Sequence, residues 1–185
     1  NLKHGTWNLE LIVTTTNGCQ DTATKQIIVH PSPISNFTIN HPIQCENEQL
    51  FEFTNTSTVP GDSISDLLWI IGTDTFSHSH ILTFSNILPG TRDARLVTIT
   101  TNACSDTTPR QITVFPSPKA DFTINNPSQC ENQQLFEFTN TSRVTGDSIS
   151  DLLWIFGNDT FSHFHILTFS HFLPGTLNLE LIVTT

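Results

Sequence analysis

The 185-residue sequence has no methionine and no tyrosine, and only 13% of its residues are charged. Its aromatic content is strongly biased, with 14 phenylalanines beside three tryptophans. Positive charge is scarcest: 7 Lys and Arg stand against 17 Asp and Glu, a formal net charge of -10. Such a balance repels phosphate backbones and anionic lipid, which argues against nucleic-acid and membrane-surface partners. No apolar run approaches the roughly 20 residues a membrane helix requires, so membrane insertion by a helix is not expected. No leader peptide is visible, as expected of a stretch that opens inside a repeat. No two of the four cysteines lie within a few residues of each other, which weakens a zinc reading. No serine sits in a strand-elbow pattern and no nucleophile stands with a base, so neither an enzyme nor a cofactor is expected. Helical periodicity is absent as well.

What is present is repetition. The chain recurs at an offset of 85 residues with no insertion or deletion: Gln44-Cys45-Glu46-Asn47 returns as Gln129-Cys130-Glu131-Asn132, and Asp62 through Trp69 returns as Asp147 through Trp154. Asn8 through Thr15 returns two periods later as Asn178 through Thr185. Repetition at this period defines the building unit, and about 85 residues suffice for a small domain with its own core. The expected division is 1–32 as the C-terminal hairpin of an incomplete repeat, 33–117 as a complete repeat, and 118–185 as a repeat without its last strand. The whole is expected to be a piece of a longer tandem array. His30-Pro31-Ser32-Pro33 and Phe115-Pro116-Ser117-Pro118 are the linkers, kept short and stiff by their prolines.

Period-2 alternation bounded by turn residues runs throughout. In the central copy, strands are expected at Asn36–Ile39, Leu50–Thr54, Leu67–Ile71 and Ile81–Phe84. A polar link is expected over His41–Asn47, a loop over Thr58–Ser65, and a turn at Leu88-Pro89-Gly90-Thr91. A last hairpin closes each copy. In the first copy Leu9, Leu11 and Val13 mark one face, and the turn Thr16–Asp21 leads into Lys25–Val29. In the central copy Ala94, Leu96 and Thr98 compete with Val97 and Ile99 for the inward face, and the pattern leaves that choice open. Seven or so short strands with one strand-borne Trp per copy indicate an all-β, immunoglobulin-like antiparallel sandwich.

Several stretches resemble, in order and spacing, the PKD (polycystic kidney disease) domain signature. They are Phe136-Glu137-Phe138-Thr139-Asn140-Thr141-Ser142, Trp154-Ile155-Phe156-Gly157-Asn158-Asp159-Thr160, Pro174-Gly175-Thr176 and Asn17-Gly18-Cys19-Gln20-Asp21-Thr22. The resemblance covers the whole repeat and looks like the tandem PKD modules of Bacteroidetes secreted surface proteins. Two places depart from it: the family's Gly-Asp-Gly turn is Gly72-Thr73-Asp74-Thr75 here, and its His-Thr-Tyr stretch is His80-Ile81-Leu82-Thr83-Phe84. The resemblance implies an extracellular or cell-surface protein forming a filament or adhesin stalk, whose partners are neighbouring repeats or filament subunits. The alternative is a non-catalytic module of a secreted hydrolase that binds polysaccharide or another partner, with surface glycans as its target.

Cys19, Cys45, Cys104 and Cys130 suit an oxidising, extracellular setting. In an immunoglobulin-like sandwich Cys45 follows the first strand at the lower end, while Cys104 sits in the upper hairpin. Strands of about 7–8 residues at about 3.3 Å each separate these ends by roughly 25 Å, beyond the ~7 Å between Cα atoms that a disulfide tolerates. Cys45 is therefore expected to pair with the hairpin cysteine of the following copy, and Cys104 with a cysteine of the preceding one. O-linked glycans, in the Asp-Ser/Thr contexts the resemblance points to, are expected at Thr22, Ser63, Thr107 and Ser148, each placed in a loop. Asn36, Asn55, Asn140 and Asn158 open N-glycosylation triplets that arise readily by chance in Asn/Thr-rich sequence. His78 with His80, and His163 with His165, share a strand face but lack a third ligand. Asp62, Asp66 and Asp74, with Asp147, Asp151 and Asp159, read as turn residues rather than calcium ligands. No metal site and no catalytic residue is assigned. Trp69 and Trp154 are expected in the core.

Overall fold

The computed structural model describes residues 3–173 and 175–185; Asn1, Leu2 and Pro174 lie outside it, the last within the Pro174-Gly175-Thr176 stretch. Among the described residues every regular element is a strand. The chain forms two compact units: the first gathers the chain up to Pro42, Leu50–Ser85 and Thr91–Thr113, and the second gathers Ile43–Gln49, Asn86–Gly90 and Val114–Thr185.

The first unit opens with a hairpin, β1 (Gly5–Thr14) paired antiparallel with β2 (Gln20–Val29). It continues through β3 (Phe37–Ile39), β5 (Phe51–Asn55), β6 (Ile64–Ile71), β7 (Asp74–Ser77), β8 (Ile81–Phe84), β9 (Gly90–Thr100) and β10 (Ser105–Phe115), of which Gly90 and Val114–Phe115 fall in the second unit; the short β4 (Ile43–Cys45), between β3 and β5 in sequence, falls wholly in the second unit. Strands β3-β5-β8 make one sheet, and the other has the strand order β4-β10-β9-β6-β7. Alternation decides what fills the space between them: Phe51 and Phe53 of β5 and Leu67, Trp69 and Ile71 of β6 all point inward and are buried. Trp69 bridges the sheets, its ring 5.2 Å from Phe37 and 5.9 Å from Phe53. Its indole N–H donates to Ser79 C=O at 2.8 Å, so the buried ring carries no unpaired donor.

Register settles the face of β9 that its sequence leaves open. Directly opposed residues of an antiparallel pair share a face, and Trp69, Ile71 and Leu67 oppose Leu96, Ala94 and Thr98. The inward choice of Trp69 therefore brings Ala94, Leu96 and Thr98 inward, and Val97 and Ile99 fall on the other face. Burying Thr98 is tolerable because its hydroxyl meets Ser57 Oγ at 2.8 Å and Ser35 Oγ at 3.2 Å. Between β6 and β7 the reversal takes only Gly72 and Thr73, with Gly72 left-handed at φ 60°.

The second unit repeats the plan with β11 (Phe122–Ile124), β12 (Phe136–Asn140), β13 (Asp151–Phe156), β14 (Asp159–Ser162), β15 (Ile166–Phe169) and β16 (Leu179–Thr184). Its sheets are β11-β12-β15 and β14-β13-β16. Trp154 is again fully buried, 5.3 Å from the Phe122 ring, among Phe138, Leu167 and Leu181.

Three sequence expectations need correction. The polar link over His41–Asn47 contains β4, which has no side-chain signature because its three residues pair through backbone and leave Ile43 and Cys45 exposed. Strand β2 begins at Gln20 rather than Lys25, its polar residues carried into the ladder opposite Thr14 and Val13. Thr22 and Thr107 lie inside β2 and β10 rather than in loops.

Candidate functional site

The most elaborated polar site lies in the second unit, where the Cys45-Glu46-Asn47 loop grips a linker. Strand β4 runs beside the last residues of β10, and Glu46 N–H donates to Phe115 C=O at 2.9 Å. One step further, Asn47 N–H donates to Ser117 Oγ at 3.0 Å, and the same hydroxyl donates to Asn47 Oδ1 at 2.7 Å. Ser117 N–H, flanked by two prolines that have no donor, points to Glu46 Oε2 at 3.4 Å. The gripping loop is itself braced: the Gln49 amide donates to Glu46 C=O (3.1 Å) and Ile87 C=O (2.7 Å), and it accepts from Ile87 N–H at 2.8 Å. Gln134 repeats this brace with Glu131 and Phe172. Composition and motif reasoning passed over Ser117, Gln49 and Gln134. Their signal is positional: a serine between prolines in both linkers, and a glutamine at the same place in both copies.

The residues of the second and third copies that correspond to β4 and its neighbours differ in one respect. Residues 128–130, equivalent to β4, form no strand, and among the described residues β16 has a strand on one side only. A cavity of about 590 Å³ opens there, lined by Phe122, Phe136, Phe138 and Leu179, with Gln129 and Glu131 at its edge.

In the first unit hydroxyls cluster around Ser35. Ser35 Oγ donates to Leu96 C=O at 2.9 Å, Ser35 N–H to Asp106 Oδ2 at 2.9 Å, and Thr108 Oγ1 to Ser35 C=O. His80 faces the Asn55 amide at 3.5 Å. Asp62 is a turn clamp, accepting from the Thr101 hydroxyl, from the Asn102 amide at 2.9 Å and from Ser63 N–H at 2.7 Å. These bonds, that from Thr101 foremost, hold its pKa at about 2.

His78 lies 3.5 Å from Asp66, and His163 lies 3.4 Å from Asp151, while His80 and His165 turn to asparagines. The paired histidines thus do not converge on one ligand, and among the described residues no three His, Cys, Asp or Glu come together to hold a metal ion. Asn55 and Asn140 are buried and hydrogen-bonded, which removes them as glycan acceptors. Thr22, Ser63, Thr107 and Ser148 are all exposed. The four cysteines carry free thiols, three of them exposed. Cys104 immediately precedes β10, and Cys45 adjoins Glu46, which bonds the other end of that strand. Both core tryptophans are 0% exposed, so neither offers a ring to a sugar.

No protein-family model matches the chain, and no curated protein matches it. Among solved structures, one from work on the promiscuous specificity of carbohydrate-binding modules of the β-sandwich superfamily aligns with 82% of this chain and 83% of its own. The identity is 12% and the TM-score 0.41, a likeness confined to fold.

Proposed function

We propose that the chain is a stretch of tandem PKD-like sandwiches, with copies divided at 1–32, 33–117 and 118–185, that serves as a non-enzymatic structural segment of an extracellular filament or adhesin stalk. The observation that carries this reading is the grip of Glu46 and Asn47 on Ser117. A linker needed only for connection has no use for a four-point hydrogen-bonded hold, whereas one that transmits tension or direction does. Cys45 paired with the hairpin cysteine of a following copy, and Cys104 with a preceding one, would add covalent locks to such joints. Glycans on Thr22, Ser63, Thr107 and Ser148 would shield exposed strand edges and loops.

Small-angle scattering on the natural protein tests the reading: an elongated particle whose length grows by one constant increment per 85-residue copy is expected, and a compact particle overturns it. Disulfide mapping that joins Cys45 to Cys104 of one copy would end the locking idea, and intact-mass analysis showing only polypeptide would end the glycan idea. The second reading is a non-catalytic module that binds polysaccharide or another partner, with surface glycans as its target. What favours it is the exposure of Trp7 and Phe164, at 40% and 50%, as rings open to a sugar face. Glycan binding that is lost with both rings would establish it.

A further inference from the structure

An antiparallel sheet with one solvated face sets apolar residues toward the core and polar residues toward water. Strands β6 and β9 break that rule. Their inward set is Leu67, Trp69 and Ile71 with Ala94, Leu96 and Thr98. Their outward set nevertheless holds Leu68, Ile70, Val97 and Ile99, all half-buried. Leu68 lies directly opposite Val97, and Ile70 directly opposite Arg95, so these side chains form one continuous block. Ser77 and Thr75 of β7, opposite Leu68 and Ile70, give the block a polar border. Strand propensity alone would be met by threonine, as it is at Thr75 and Thr113 on the same face. A contiguous aliphatic block with a polar rim is instead the mark of an interaction surface.

The next copy builds the same block on its own sheet. Leu153 lies opposite Ile182 and Ile155 opposite Glu180, with Ser162 and Thr160 of β14 as the border. Strands β6 and β13, which carry the centre of each block, are both interior to their sheets. One position changes sign between the copies: Arg95 becomes Glu180, and both are exposed. Asp93, on the same face as Arg95, becomes the neutral Asn178. Its 3.6 Å contact with Arg95 joins two exposed groups and holds little, and its other oxygen accepts from the Gln111 amide at 3.1 Å. We infer that the two faces are the complementary halves of a lateral contact between chains. The β6–β9 face of one chain meets the β13–β16 face of a second copy, setting Leu68, Ile70 and Val97 against Leu153, Ile155 and Ile182 and pairing Arg95 with Glu180. Two like faces would bury similar aliphatic area but would gather like charges on one interface, which is costly. The sign change therefore selects unlike copies and offsets neighbouring chains by one 85-residue period. This goes beyond the stalk reading and stands on the faces alone, since chains that stay single would leave that reading intact.

The test follows the 185-residue chain, with its thiols alkylated, by sedimentation over a range of concentrations. A mass that rises with concentration is expected, and the association should weaken as salt is added. Arg95→Glu and Glu180→Arg should each raise the dissociation constant more than about tenfold, because each sets like charges against one another. An equimolar mixture of these two variants should recover the association, since each then supplies the charge the other has lost. Both positions are exposed, so the swaps leave the cores intact. Ile70→Thr keeps a β-branched residue on the strand and should weaken association while the sandwich stays folded. A chain that remains monomeric overturns the inference. So does association indifferent to Ile70 and to both charge swaps, which would assign it to another surface, or a mixture that associates no better than either variant alone.

Discussion

At the scale of single residues, Trp69 and Trp154 bear the heaviest packing role, each at the junction of two sheets. Trp154→Ala is expected to cost about 3–5 kcal/mol, a large share of the stability of a domain this size. Denaturant unfolding of the second unit, followed by its own amide signals, checks this. A smaller effect of opposite sign belongs to the hairpin turns. Gly18 has φ 86° and its equivalent Ala103 has φ 61°, so the same left-handed position is held once by glycine and once by a residue with a Cβ. Ala103→Gly should stabilise the protein by about 1 kcal/mol, read as a rise in melting temperature. Asp62 makes stability depend on acid. Its folded pKa of about 2 lies below its ordinary 3.8, so its contribution is complete above about pH 4 and is lost as pH falls through 2. Wild type and Asp62→Asn should therefore converge in stability as pH drops across that interval.

At the scale of elements, the linker grip is the feature most open to direct test. Ser117→Ala removes the hydroxyl that Asn47 both donates to and receives from. Exchange of the Asn47 amide should quicken roughly fivefold, as one bond worth about 1 kcal/mol implies. Elements also differ in how plainly the sequence announces them. Strand β6 was legible because Leu67, Trp69 and Ile71 alternate, and β5 because Phe51 and Phe53 do. The inward face of β9 was not, since Val97 and Ile99 are as apolar as Leu96; only pairing opposite Trp69 decides it. Strand β4 escaped notice because three backbone-paired residues leave no period to read. The grip escaped for a related reason: serine, asparagine and glutamate in loops look alike whether or not they meet. That Ser117 meets Asn47, 70 residues away in sequence, is a fact of topology rather than composition.

At the scale of the whole molecule, equivalent residues of different copies stand in different surroundings. Leu9 and Leu11 are each 61% exposed, while their equivalents Ala94 and Leu96 are fully buried. The compact units, moreover, are out of phase with the 85-residue period, since the second gathers Ile43–Gln49 and Asn86–Gly90 from the central copy. This has a bearing on inheritance. The gripping loop and the gripped serine recur at fixed intervals, as Glu46-Asn47 and Glu131-Asn132, and as Ser32 and Ser117. Unequal crossing-over between two copies of the coding sequence, at any point within the period, adds or deletes one whole period and rejoins each loop to a matching serine. A lineage can thus lengthen or shorten such a protein by recombination alone, with no new joint to invent and no compensating mutation to await.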